Sequence, residues 1–77
     1  MHTKKLENVL IKVLKIKNKE LTDKLSMYKL ETWDSLKHME LISDLENSFQ
    51  IEFSMEEIIS MKDIKSIKKI IKKKLNK

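Results

Sequence analysis

Not one glycine or proline occurs in this chain. Tight hairpins need residues that take positive φ at little cost, and most turns lean on one or both of these residues. A sequence rich in Lys, Leu, Ile and Glu that lacks them is expected to be helical throughout. The same absence excludes every Gly-rich phosphate loop. The expected fold class is all-α.

Size narrows the field further. A chain of 77 residues buries only roughly 60% of its unfolded surface. With 40% hydrophobic and 38% charged residues, a single small domain over 1–77 is expected, with no deep catalytic pocket. No Cys is present, which removes disulfides, thiolate metal sites and thiol redox chemistry. His2 and His38 are too few and too far apart to hold a metal, so none is expected. Apolar runs reach only three or four residues, as at Val9-Leu10-Ile11, too short to cross or insert into a membrane. The Met-His-Thr-Lys-Lys start lacks the apolar stretch of a signal peptide. A cytoplasmic protein is the expectation.

The net charge of +5 hides a segregation. Residues 1–30 carry eight Lys against three acids, and residues 58–77 carry eight Lys against Asp63 alone. Between them, residues 31–57 carry eight acids against Lys37. An acidic block between basic ones suits a basic partner, whereas the bland alternative is a set of solvated faces.

Four helices are expected. Leu6, Val9, Leu10, Val13 and Leu14 recur at helical spacing behind a candidate N-cap at Thr3, with Lys4 and Lys5 opposing the macrodipole. Residues 17–32 lack a period and form a long first loop in which Leu21, Leu25, Tyr28 and Leu30 should be buried. A second helix should open on Asp34, with Leu36, Met39, Ile42, Leu45 and Phe49 on one stripe and Leu41 beside it. Ser54-Met55-Glu56-Glu57 has the capping-box pattern for a short third helix with Ile58 and Ile59 on its apolar side. Asp63 should cap a last helix with Ile64, Ile67, Ile71 and Leu75 inward and Lys65, Lys68, Lys69, Lys72 and Lys73 outward.

The residues able to carry chemistry lie at Asp34-Ser35-Leu36. A Ser just inside a helix N-terminus is exposed, and a phosphate attached there meets free N–H groups and the positive dipole end, worth roughly 0.3–1 kcal/mol. The plain alternative is that Asp34 caps and Ser35 merely fills the next position. Ser35 and His38 lie on one helical face, but a hydrolase also needs an orienting acid and an oxyanion hole, for which this chain offers no candidate. His38 is expected beside whatever Ser35 bears, or on a partner surface.

Trp33-Asp34-Ser35-Leu36, with Met39-Glu40-Leu41-Ile42, Leu45-Glu46, Phe49, Ile51, Phe53, Glu56-Glu57-Ile58 and Ile64, resembles the acyl carrier protein family. The resemblance is strong over residues 33–71, and the preceding helix and long loop fit the family layout. It implies a four-helix bundle that carries cargo and is not an enzyme. Ser35, flanked by Asp34 and Leu36, would bear 4′-phosphopantetheine, transferred from coenzyme A by a separate Mg²⁺-dependent phosphopantetheinyl transferase. Acyl or aminoacyl thioesters would ride on the arm's thiol. Lys37, Met39, Glu40, Asp44, Glu46, Glu56 and Glu57 would face basic docking patches on the transferase and on acyl- or aminoacyl-handling enzymes. Leu41, Ile42, Leu45, Ile58, Ile67 and Ile71, first of all core residues, would line a slot for an acyl chain. Such carriers are usually monomers.

The pattern departs from fatty-acid carriers in places. Lys37 follows the modified Ser where many have an acid or a neutral residue, Asn47 interrupts the usual acids, and the last helix is rich in Lys. Trp33 looks more like discrete carriers of specialised pathways, including aminoacyl carriers. The competing class is a small basic helical nucleic-acid binder. Against it, none of the 17 basic residues is Arg, so no Arg is available for bidentate base contacts, and the best-formed helix is acidic.

Overall fold

A computed structural model describes residues 3–75 of the chain. In chain order these form α1 (Thr3–Leu14), a 3₁₀ turn at Asn18–Glu20, α2 (Ser35–Phe49), α3 (Met55–Ser60) and α4 (Ile64–Leu75). The described residues are mostly helical and contain no named strand, so the all-α bundle with three long helices, one short helix and a long first loop is what forms. The expected cap at Thr3 concerns a side chain outside the described set, as does His2.

Each helix start follows its sequence. Asp34 is extended and its carboxylate accepts from the Lys37 N–H at 2.8 Å, opening α2. Ser54 and Glu57 form the reciprocal capping box of α3: Ser54 Oγ accepts from Glu57 N at 3.1 Å, and Glu57 Oε1 accepts from Ser54 N at 2.8 Å. Asp63 Oδ1 accepts from Ser66 N at 2.7 Å at the head of α4. Helix ends are less conventional. Lys15 and Gln50 adopt left-handed backbone at φ 56° and 55°, where chains usually place Gly. The N–H of the following residue then reaches back in a Schellman-type closure, Ile16 to Ile11 O and Ile51 to Glu46 O.

Leu10, Leu14, Trp33, Leu41, Ile42, Leu45, Met61, Ile64 and Ile67 are almost wholly withdrawn from solvent and form one core. The buried face of α2 is His38, Leu41, Ile42, Leu45 and Phe49. The expected stripe was therefore one residue out of place at its start: Leu36 and Met39 are exposed at 83% and 52%. Leu36 and Met39 face solvent, and His38 takes the inward position, where both its ring nitrogens find partners. On α3 the expected apolar side is only half realised. Ile58 is half-buried and Ile59 exposed, while Met61, just past the helix, is the residue that enters the core.

The long loop is held by backbone. Met27 N donates to Lys62 O at 2.9 Å and Ile64 N donates to Leu25 O at 3.0 Å, so Ser26 and Asp63 form an isolated antiparallel bridge. Thr32 Oγ1 donates to Leu14 O at 3.1 Å, filling one orphan carbonyl of α1. Leu21, Leu25 and Leu30 pack on the core as expected, but Tyr28 does not: it stands 81% exposed.

Candidate functional site

Ser35 is the first residue of α2 and is exposed. Asp34 before it is occupied as the cap, and Leu36 after it projects into solvent. The first turn of α2 contains no acid beyond the cap. The three residues expected to form an attachment point are thus brought together on an open rim, with the hydroxyl approachable.

His38 is not on that rim. It is 7% exposed and spans two elements. Trp33 Nε1 donates to its Nδ1 at 3.0 Å, and its Nε2 meets Ile58 O at 2.8 Å. An indole nitrogen can only donate, so Nδ1 is the acceptor and Nε2 carries the proton that Ile58 O receives. Neither nitrogen is left for the Ser35 hydroxyl. Of the two expected places for His38, a partner surface is corrected by this burial. Sequence reading missed the Trp33–His38 pair; its five-residue separation across a helix start matches no helical neighbour rule.

The acidic residues divide by what they already hold. Lys37 Nζ pairs with Glu40 Oε2 at 3.1 Å. Glu46 accepts from Phe53 N at 2.9 Å and so closes the turn after α2. Glu57 pairs with Lys74 Nζ at 2.9 Å besides its capping role. Its carboxyl is held below the ordinary range first by the Ser54 N–H and then by Lys74. Asp63 is likewise lowered, chiefly by the Ser66 N–H and hydroxyl. Glu56 and Met39 are exposed, and Asp44 is half-exposed.

Leu41, Ile42, Leu45, Ile67 and Ile71 are core side chains. An open groove of about 250 Å³ lies elsewhere, lined by Met27, Tyr28, His38, Ile58, Ile59 and Lys62. Of the residues expected around an acyl chain, Ile58 alone borders it. Among the described residues there is no cluster of metal-binding side chains, and no helix is long and apolar enough to cross a membrane.

A protein-family model, phosphopantetheine attachment site, matches residues 4–72. The chain belongs to this family of phosphopantetheine-bearing carrier domains, the thioester carriers that include acyl carrier proteins. No curated protein matches the sequence. Membership implies a covalently held 4′-phosphopantetheine. The residues present fit it: an exposed hydroxyl on the first turn of a 15-residue helix leaves room for a phosphodiester beside N–H groups that no helical carbonyl uses.

Proposed function

We propose that the chain is an acyl or aminoacyl carrier that bears 4′-phosphopantetheine on Ser35 and presents thioester-bound cargo to partner enzymes. The observation that carries this reading is the exposed Ser35 hydroxyl at the mouth of α2 in a chain of this family. When bound, the arm supplies a thiol, which this Cys-free sequence lacks.

The chain's own part is to present an unhindered nucleophile and a recognisable surface. Ser35 Oγ attacks the pantetheine-side phosphorus of coenzyme A, the P–O bond to the adenosine bisphosphate breaks, and the hydroxyl proton passes to a base on the transferase. That transferase also supplies the Mg²⁺. The occupation of both His38 nitrogens supports the view that activation comes from outside. Leu36 and Met39 offer apolar anchors beside Ser35, with Lys37, Glu40, Asp44 and Glu56 around them for a basic partner patch. Glu46 and Glu57 contribute to that field from positions they hold for structural reasons. Attraction of this kind mainly sets the encounter rate.

The test is intact mass after incubation with coenzyme A, Mg²⁺ and a broad-specificity phosphopantetheinyl transferase. Wild type gains one prosthetic group and Ser35→Ala gains none. An unchanged wild-type mass beside a modified control carrier would overturn the proposal.

A further inference from the structure

The short helix α3 has no buried side chain of its own. Half-buried Ile58 packs against the core, and two polar ties, one from each neighbouring helix, add to that contact. At its far edge Glu57 pairs with Lys74 of α4. At its near edge the Ile58 carbonyl accepts from His38 of α2, whose ring is braced from behind by Trp33, itself 1% exposed. The His38 ring thus crosses the seam between α2 and α3, on the same buried face of α2 as Leu41, Ile42 and Leu45. At the seam lies the open groove, lined by His38 itself with Met27, Tyr28, Ile58, Ile59 and Lys62. Its volume of about 250 Å³ falls below the roughly 300–1,000 Å³ of pockets that enclose a drug-sized ligand.

Resting on the carrier reading above, we infer that His38 is a latch: it holds α3 closed on α2 and limits the cargo to short groups that lie in the outer groove. Cargo reaches the groove from Ser35, one helical turn before His38. A short acyl or aminoacyl group is accommodated there with its thioester open to partner enzymes. A long alkyl chain would need the seam to part, and parting it leaves His38 Nε2 and Ile58 O without their bond. His38 is in this sense a specificity-determining residue that works by positioning α3.

The experiment loads the full chain with acetyl- and octanoyl-pantetheine from the corresponding coenzyme A thioesters, verifies each by intact mass, and compares wild type with His38→Asn and His38→Gln. Asn keeps an acceptor for Trp33 but is too short to reach Ile58, whereas Gln retains a donor that reaches it. Readouts are NMR shift maps and the rate of thioester cleavage by hydroxylamine. In wild type, both cargoes shift Met27, Tyr28, Ile58 and Ile59, leave the methyls of Leu41, Ile42 and Leu45 in place, and are cleaved at equal rates. In His38→Asn the octanoyl chain shifts those core methyls and its cleavage slows roughly tenfold, the factor that burying two methylenes corresponds to. His38→Gln behaves as wild type.

Octanoyl-dependent shifts of the core methyls in wild type, with a shielded thioester, would overturn the latch, and that arm decides even if a variant fails to fold. Equal shielding in the Asn and Gln variants would overturn it too. Failure to load any cargo at all would show in the mass and would remove the carrier reading together with the inference.

Discussion

At the scale of single residues, His38 holds together what the sequence presents as separate parts. Its ring joins the loop residue Trp33 to the α3 carbonyl of Ile58 through two hydrogen bonds. Replacing it by Ala leaves a buried donor and a carbonyl unpaired and removes most of a buried ring, so destabilisation of about 2–4 kcal/mol is expected in urea unfolding. A loss within the scatter of surface substitutions would contradict the assignment. Acid titration offers a second test. Glu57 and Asp63 both lie below their ordinary values of 4.5 and 3.8 in the folded chain. The stability they contribute is thus present above those values and is lost as pH falls through the lower folded ones. Melting temperature should decline on acidification below pH 4.5, and Glu57→Gln should flatten the upper part of that decline. A profile that superimposes on wild type would count against the Glu57 ties to Ser54 and Lys74.

At the scale of elements, caps and periods were readable because each depends on neighbours in sequence. Asp34, Ser54 and Asp63 cap as their patterns require, and Ile64, Ile67 and Ile71 face inward as their spacing demands. What depends on tertiary position was not readable. Leu36 and Met39 continue the apolar period of α2 but face solvent, and Tyr28 is exposed just beyond the backbone bonds of Leu25 and Met27. The site followed the same division. Ser35 at a helix mouth is a local fact, whereas His38 joins Trp33 to the Ile58 carbonyl of α3, twenty residues beyond His38 itself. The helix ends give a prediction of their own. Lys15 and Gln50 hold positive φ without being Gly, a conformation that costs an L-residue roughly 1–2 kcal/mol. Lys15→Gly and Gln50→Gly should each stabilise the fold by about 0.5–1 kcal/mol after the greater entropy of Gly in the unfolded chain is subtracted. Thermal unfolding that moves down in both variants would contradict the closure described for α1 and α2.

At the scale of the whole molecule, charge and fold divide the surface. The last helix presents Lys65, Lys69, Lys72 and Lys73 outward, while Lys68 and Lys74 are tied to Asp23 and Glu57. α2 and α3 instead expose Glu40 and Glu56, with Asp44 half-exposed. Reversing two acids that hold nothing structural, Asp44→Lys with Glu56→Lys, should lower kcat/KM for arm transfer several-fold, and the gap should close as salt is raised. An equal deficit at every ionic strength would assign the defect to something other than steering. The proposed carrier role turns on one exposed hydroxyl, that of Ser35 at the head of α2, and it is most directly tested by peptide mass spectrometry of the protein after arm transfer. Cleavage after Lys29 and Lys37 releases residues 30–37, in which Thr32 and Ser35 are the hydroxyl-bearing side chains. Fragmentation should place the whole of the added phosphopantetheine on Ser35. Its appearance on Thr32, on another peptide or nowhere would contradict the account.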